Sequence, residues 1–237
     1  MASTKSEAAR MPVGGVNSAT VIAVVPRWET WIQRAALVLL RVGLAYLFFT
    51  QLWWKTPPTF GCTADFRFTT GTPAQLQRSS GLCDWIGIEA VYATEPRPFF
   101  VANIDNRGAP EIAIDLGWAA RLNGAFIENV VKPNIAWFGY LIFASEAFIF
   151  ISLFFGLFSR LGGLVAIGMA AQLMIGLGGI GNPYEWEWAY NNIVLLAILA
   201  FAFAPGRYFG VDALLRPRLL AAAARGNRLA QGAALLT

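Results

Sequence analysis

The sequence predicts an all-α integral membrane protein: an antiparallel bundle of four transmembrane helices with a long outer loop between helices one and two. Of the 237 residues, 57% are hydrophobic and only 14% are charged, whereas soluble domains carry about 25% charged residues. Four apolar stretches each approach the ~20 residues that a helix needs to cross a bilayer. Of the 18 lysines and arginines, 16 lie outside these stretches.

The predicted spans are residues 31–53, 135–158, 162–180 and 184–204. Pro26 is a favourable first-turn residue and marks the start of the first helix. Trp28 and Trp31 fall at the inner interface of this span, and Trp53 and Trp54 fall at the outer one. Tryptophans at both ends of a span are typical of the aromatic belt of a membrane protein.

The predicted outer loop, residues 54–134, opens with Lys55-Thr-Pro-Pro, where proline ends the first helix. Apolar residues recur at helical spacing over 114–131, which predicts an amphipathic helix along the outer membrane face. We expect Pro133-Asn134 to end this helix and to begin the second span. The turn SRLGG, residues 159–163, is so short that spans two and three must pack antiparallel.

The distribution of basic residues predicts the orientation, because short cytoplasmic segments are enriched in lysine and arginine. The basic residues assigned to one side are Lys5, Arg10, Arg27, Arg34, Arg160, Arg207, Arg216, Arg218, Arg225 and Arg228. We therefore expect a cell (inner) membrane protein with both termini cytoplasmic and the loop extracytoplasmic. The domains are a flexible tail 1–26, a membrane domain 27–210 and a tail 211–237. The last is either an interfacial helix with snorkelling arginines or a partner-binding tail.

Cys62 and Cys83 are the only cysteines, and both lie in the outer loop. An extracytoplasmic loop meets oxidising conditions, so we expect a disulfide between them. Two free thiols are the alternative. A redox-active pair is a further alternative, although the spacing differs from C-x-x-C.

Three strongly polar residues are predicted at a similar depth in three different spans. Arg41 lies about ten residues into span one and Glu146 about eleven into span two, while Gln172 is midway along span three. A charge near the bilayer centre costs at least ~2.5 kcal/mol on insertion scales, so we expect Arg41 and Glu146 to pair inside the bundle. Such a pair either forms a proton or ligand site or fixes the register of the helices.

The stretch NPYEWEWAYNN, residues 182–192, stands before the fourth span. Asn182, Pro183 and Glu185 have the form of a helix start with a capping box. Trp188, Asn191 and Asn192 are candidate contacts for a polar head group whose tail lies between helices, and a quinone suits that arrangement. Lys55 is either a snorkelling anchor or an attractor for anions near the outer mouth.

The composition excludes several redox centres that belong to the chain itself. There is no histidine, so histidine-ligated haem, copper or zinc is excluded, and two cysteines cannot ligate an iron–sulfur cluster alone. We expect the chain to bind no metal or haem of its own. The sequence has no basic patch with interleaved aromatic residues, so we expect no nucleic-acid binding. Catalytic residues are not identified. Any electron transfer therefore needs a quinone or a partner subunit.

Five segments carry a resemblance to a known family. They are LLRVGLAYLFFTQLWWKTPPTFGC, ENVVKPN, LFSRLGG, NPYEWEWAYNN and APGRYFGVDALLR. Over about residues 31–218 the chain resembles the DoxX/DoxD family of small four-helix membrane proteins, and GRYFGVDALL is the most specific segment. The resemblance implies a redox-linked role, because the DoxD branch is the membrane subunit of thiosulfate:quinone oxidoreductase. It carries over no catalytic residue.

Three functions are therefore open. The first is a DoxX-like membrane subunit of a redox complex that contacts quinone. The second is a non-catalytic accessory subunit that braces a larger membrane assembly, and the third is a small transporter. In each case the lipid bilayer surrounds the chain, and the first two imply other membrane subunits as partners.

Overall fold

The computed structural model describes residues 26–71, 81–102, 112–178 and 187–237. The helices are α1 Arg27–Leu52, α2 Leu82–Val91, α3 Gly117–Phe126, α4 Ile135–Phe155, α5 Ser159–Leu177, α6 Glu187–Phe203, α7 Val211–Ala224 and α8 Arg228–Leu236. Three-residue 3-10 turns follow α1 at Trp53–Lys55 and α2 at Tyr92–Thr94, and another precedes α7 at Pro205–Arg207. A π turn, Ile127–Val131, and a 3-10 turn, Lys132–Asn134, join α3 to α4.

Within these ranges, three helical stretches are long and apolar enough to cross a membrane: Arg27–Lys55, Gly117–Phe155 and Ser159–Leu177. They confirm the first three predicted spans as apolar helices of a membrane protein. The fourth predicted span corresponds to α6, which has 17 residues. The first three residues predicted for it, 184–186, lie outside the described residues, as do Asn182, Pro183 and Glu185 of the predicted cap and nearly all of the tail 1–26. The fourth crossing and the tail stay predictions.

The four apolar helices form one bundle. Helix α1 packs against α4 and α6, and α5 packs against the same two helices. The core between them consists of Leu44, Ala45, Phe48, Ile149, Leu153, Ala166, Ala197 and Ala200. Helices α5 and α6 approach closely at Gly163, where an added Cβ would lie 2.6 Å from the backbone nitrogen of Phe201. Small residues in α5 thus serve close helix packing, as is common in membrane bundles.

The connection between α4 and α5 differs from the prediction. Gly156, the residue after α4, has a left-handed φ of 64° that favours glycine, and α5 already begins at Ser159. SRLGG is therefore the first turn of α5 and not a turn between helices. The reason is a distant carboxylate, because Asp212 accepts hydrogen bonds from the backbone nitrogens of Phe158 and Ser159 at 2.7 and 2.8 Å. It caps the free N–H groups at the start of α5.

The outer loop contains more regular structure than its turn-rich sequence indicates. It holds α2 and a two-stranded antiparallel sheet of β1 Pro98–Ala102 and β2 Ile112–Asp115. Because β2 takes residues 112–115, the predicted amphipathic helix begins at Gly117 instead of 114. Its exposed face carries apolar side chains at a spacing of four residues: Trp118, Leu122, Phe126 and Val130. The face that touches α5 and the turn after α2 is buried.

The prediction that Pro133-Asn134 ends this helix was wrong. The backbone stays helical from Gly117 to Phe155. Proline removes one backbone N–H donor. The helix continues through Pro133 because its geometry changes there from π to 3-10. The side chain of Asn134 donates to the carbonyl oxygen of Val130 at 2.8 Å. This side-chain donor lies next to Pro133, which has no N–H of its own.

The C-terminal tail forms two helices, α7 and α8, which pack against each other. Asn227 caps α8 through a side-chain bond from the backbone nitrogen of Ala230 at 3.1 Å. Arg160 of α5 ties α8 and α6 together, because its guanidinium donates to the carbonyl oxygens of Phe201, Ala202 and Leu235. The tail is thereby fixed to the same end of the bundle as the α4–α5 turn.

Candidate functional site

A buried ion pair joins the end of α1 to the middle of α4. The ammonium of Lys55 donates to Oε1 of Glu146, and their side chains are 7% and 1% exposed. Lys55 reaches this position because α1 continues as a 3-10 turn through Trp53–Lys55 before the prolines. The Lys55 ammonium also lies 4.5 Å from the ring centre of Trp54, which is half-buried. Oε2 of Glu146 has no hydrogen-bond partner among the described residues.

A second buried carboxylate, Glu89, belongs to the outer loop. It lies on α2 and is 4% exposed. Oε2 of Glu89 accepts hydrogen bonds from the side-chain amides of Gln172 on α5, at 2.6 Å, and Asn123 on α3, at 3.0 Å. Gly176 leaves room for this carboxylate, since a Cβ there would lie 2.1 Å from Oε2. Glu89 therefore connects α2, α3 and α5.

Arg97 lies beside Glu89 and is also buried. Its Nη2 donates to the carbonyl oxygens of Tyr92 and Gly176, at 2.5 and 3.4 Å. Its backbone nitrogen donates to Oδ1 of Asp115 at 2.7 Å. That bond and one from the backbone nitrogen of Gly117 lower the pKa of Asp115. Burial lowers the pKa of Arg97, and the negative charges of nearby acids, including Glu89, oppose this effect.

The six residues Lys55, Glu89, Arg97, Asn123, Glu146 and Gln172 form what we call the outer polar cluster. Burial raises the pKa of Glu89 to about 7, although the bonds from Asn123 and Gln172 and the charges of Arg97 and Lys55 all favour its ionised form. Desolvation wins because the carboxyl has lost nearly all contact with water. Near neutral pH this group can therefore either hold or release a proton.

The predicted pair of Arg41 with Glu146 was wrong. Glu146 bonds to Lys55, whereas Nη2 of Arg41 donates to the carbonyl oxygen of Phe209 at 3.3 Å. The negative charge of Asp212 favours the Arg41 cation. Arg41 packs tightly against Gly156, where a Cβ would lie 1.9 Å from Nη1. Gln172, the third residue predicted at this depth, contacts Glu89 instead.

The error has a geometric cause. The prediction measured depth from the ends of each predicted span, as if all helices started at the same level. In the structure Arg41 lies level with Gly156, the residue after the end of α4. Glu146 lies ten residues earlier in α4, which is about 15 Å along the helix axis. Helix α1 extends past the end of α4, so its midpoint faces the end of its neighbour.

The other predicted site residues lie in different parts of the bundle. Lys55 belongs to the outer polar cluster, but Asn191 and Asn192 are exposed on α6. The backbone of Trp188 is helical, and its side chain lies outside the described residues. The structure thus places Lys55 in the interior and the two asparagines on the outer surface of the bundle.

Cys62 and Cys83 form a disulfide, with their Cα atoms 5.3 Å apart. This bond fastens the start of α2 to the segment after Pro57-Pro58. Phe60 lies beside it in a buried cluster with Ile86 of α2 and Ile135 of α4. The disulfide and this cluster hold the loop on the end of the bundle that carries Lys55.

Sequence reasoning missed Glu89 and Arg97. The signal for Glu89 was available, because it is the one charged residue in the apolar run 85–92, WIGIEAVY. A lone acid in such a run is either buried with partners or faces water on one side of a helix. Arg97 stands in a turn-rich segment, EPRPF, where the sequence has no pattern that predicts burial.

Comparison with family models found a match over the C-terminal half of the chain. The model of the DoxD family, described as TQO small subunit DoxD, matches residues 118–232. This match, called the DoxD segment below, makes residues 118–232 similar to the DoxD family. No curated protein and no solved structure matched this chain.

The DoxD segment runs from α3 to α8 and carries part of the outer polar cluster. Asn123, Glu146 and Gln172 lie inside it. Lys55, Glu89 and Arg97 lie in the preceding part of the chain. The polar cluster therefore forms where the DoxD segment meets α1 and the outer loop. Together the DoxD match and the apolar helices identify a membrane protein.

Proposed function

We propose that this chain is the membrane subunit of a quinone-linked oxidoreductase of the thiosulfate:quinone type. In this proposal the outer polar cluster receives the head group of the quinone. The observation that carries the proposal is the buried Lys55–Glu146 pair, in which one carboxylate oxygen has no partner within the described ranges. The DoxD match supplies the reaction type.

A buried ion pair usually adds little to the stability of a protein. Apolar side chains of similar volume often serve equally well, whereas ionisable residues within membrane helices usually mark a pathway or a site. Lys55 and Glu146 come from two different helices and meet where the outer loop covers the bundle. This position favours a role in binding or proton exchange over a purely structural one.

The residues present fit a quinone head group. Its carbonyl oxygens are acceptors, and the Lys55 ammonium carries three N–H donors, one of which is used by Glu146. The half-buried ring of Trp54 lies next to this ammonium and offers an aromatic wall. A quinone supplies two-electron redox chemistry when bound, and the electrons for it would come from the donor oxidised by the complex.

Reduction of a quinone to a quinol consumes two protons together with the two electrons. Glu146 and Glu89 are the carboxyl groups placed to hold such protons. The pKa of Glu89, raised to about 7 by burial, suits a group that exchanges protons near neutral pH. Glu89 also belongs to the outer loop, so its carboxyl lies on the loop side of the cluster.

The orientation is part of the same proposal. The disulfide and the outer polar cluster lie at one end of the bundle, and Arg160, Arg207 and α7 lie at the other. The aromatic contact of Trp31 with Phe209, 5.7 Å between ring centres, places the start of α1 at the arginine-rich end. We assign the arginine-rich end to the cytoplasm and the disulfide to the extracytoplasmic side.

The test is thiosulfate-dependent reduction of decylubiquinone by the complex purified from membranes. We expect Lys55→Met and Glu146→Gln each to lower the rate by at least about tenfold, since one charge-assisted hydrogen bond is worth roughly 1.5–3 kcal/mol. The matched controls are Lys132→Met and Glu128→Gln, which break a pair of the same chemistry outside the cluster, with side chains 17% and 54% exposed. These controls should keep the wild-type rate.

Binding is measured separately, with a photoreactive quinone on the purified, folded chain. Labelling near Trp54 that is lost in Lys55→Met supports the proposal. Absence of labelling, with a wild-type rate in both cluster variants, contradicts it and favours the accessory subunit. Proton or solute flux in liposomes that Glu146→Gln abolishes would favour the transporter instead.

A further inference from the structure

A cleft lies at the arginine-rich end, between the 3-10 turn Pro205–Arg207 and α7. Its lining consists of Arg207, Asp212, Ala213, Arg216, Pro217 and Leu220. Two guanidinium groups and one carboxylate thus share the cleft with the apolar side of α7. The outer polar cluster, at the other end of the bundle, has no part in it.

The carboxylate of Asp212 is already committed within the protein. It accepts hydrogen bonds from the backbone nitrogens of Phe158 and Ser159, and from the Ser159 hydroxyl at 2.7 Å. Its one negative charge is outweighed by the two positive charges of Arg207 and Arg216, so the cleft keeps an excess of positive charge. Burial lowers the pKa of Arg207, the positive charges of Arg216 and Arg160 lower it further, and Asp212 only partly opposes them. An anion in the cleft would relieve this repulsion.

Both arginines keep N–H donors that an anion in the cleft could use. Nε of Arg216 is buried and has no hydrogen-bond partner among the residues that the structure describes. A buried donor without an acceptor costs about 1–3 kcal/mol, so the cleft favours a ligand that supplies one. Arg207 uses Nε and Nη2 to hold the carbonyl oxygen of Thr237, at 3.1 and 2.6 Å, and its Nη1 carries two more N–H donors.

We propose that this cleft binds the phosphate group of an anionic phospholipid, with Arg216 and Arg207 as the donors. The guanidinium fork matches phosphate oxygens, which makes arginine the usual residue for such contacts. The surroundings indicate a lipid instead of free phosphate. Pro217 and Leu220 line the cleft, Leu220 is 45% exposed, and Leu214 of the same helix is 71% exposed. Acyl chains would cover these side chains, as at the surface of an interfacial helix.

The test is titration of the purified full chain, in dodecyl maltoside, with phosphatidylglycerol while thermal unfolding is recorded. We expect a stabilisation that saturates, and phosphatidylcholine at the same concentration should give less. Arg216→Gln should weaken the apparent affinity for phosphatidylglycerol about tenfold, and Arg216→Lys should fall between this variant and the wild type because it keeps the charge but loses the fork.

Arg218→Gln is the matched control, since it removes the same charge from the same helix at an exposed position outside the cleft. It should bind phosphatidylglycerol as the wild type does. An equal loss in Arg218→Gln would show diffuse electrostatic attraction and overturn the proposal. Inorganic phosphate that stabilises the protein as strongly as the lipid would show a free-anion site and overturn the lipid assignment. Circular dichroism without lipid confirms that each variant is folded.

Discussion

Glu89 is a carboxylic acid that the fold removes from water while surrounding it with amide donors. Gln172 and Asn123 both donate to the same oxygen, and Arg97 lies close enough to favour the charged form. These interactions lower the pKa, yet desolvation outweighs them and the pKa of Glu89 is raised to about 7. The protonated acid is therefore the form that the folded protein prefers below neutral pH.

This preference predicts a pH-dependent stability. The pKa of Glu89 in the folded protein, about 7, lies above its ordinary value of 4.5. The stability that the protonated acid contributes is therefore complete below pH 4.5 and is lost as the pH rises through 7. Between those values the folded state binds more protons than the unfolded state. The free energy of unfolding therefore falls by about 3 kcal/mol over this range. Glu89→Gln should remove this part of the slope. Unfolding midpoints in detergent from pH 4.5 to 8 measure it.

Glu128→Gln is the control for this experiment, because Glu128 is an exposed acid in the same part of the chain. It should keep the wild-type slope. The same slope in Glu89→Gln and the wild type would contradict the assignment of this titration to Glu89.

At the scale of elements, the start of α5 depends on a residue that lies 53 positions later in the chain. Asp212 stands in the first turn of α7, and its carboxylate caps α5 with three hydrogen bonds. Its own backbone nitrogen donates to the carbonyl oxygen of Gly156 at 2.8 Å. Three helix ends, those of α4, α5 and α7, therefore meet at one buried carboxylate.

Removal of this carboxylate should be costly. Asp212→Ala leaves three donors without an acceptor, and we expect a loss of about 3 kcal/mol or more in the free energy of unfolding. Asp212→Asn keeps one acceptor oxygen and should lose about half as much. Asp65→Ala removes an exposed acid whose ion pair with Arg67 is worth little, so it should stay close to the wild type. Denaturant unfolding in detergent measures all three, and an unchanged Asp212→Ala protein would refute the capping role.

At the scale of the whole molecule, the described residues form a helix bundle. The folded part of the outer loop covers one end of this bundle and is called the cap below. The cap is fastened by the Cys62–Cys83 disulfide and by the contacts of Glu89 and Arg97 with α5. The apolar face of α3 and much of the surface of the spans are exposed, including Trp118 and Leu122. Lipid covers such a surface in a membrane protein, and this is consistent with the composition.

The disulfide should stabilise the cap, because it closes a loop across a separation of 21 residues. Loop closure of this size is worth about 3 kcal/mol. Reduction of the wild type, or the double change Cys62→Ser and Cys83→Ser, should lower the unfolding midpoint to the same value. Reductant should leave the double variant unchanged. Equal midpoints of the oxidised and reduced wild type would show that the apolar cluster around Phe60 holds the cap alone.

Several features were predictable because they depend on local sequence. Apolar runs long enough to span a bilayer predicted α1, α4 and α5, and α4 begins at Ile135 as expected. Two cysteines in one loop predicted the disulfide. Boundaries were less accurate where a distant residue sets them, as Asp212 does for α5. The family resemblance was confirmed over residues 118–232.

The sequence by itself determined that the chain belongs in a membrane, because the length and hydrophobicity of a helix fix whether it can replace water with lipid. Only the tertiary structure decided which buried charges meet. Which charged side chains meet depends on the axial shift between neighbouring helices. A hydrophobic run packs almost equally well at several such shifts, so its sequence does not specify the shift. Helix stagger brought Lys55 to Glu146, left Arg41 with Phe209 and Asp212, and placed Glu89 against Gln172.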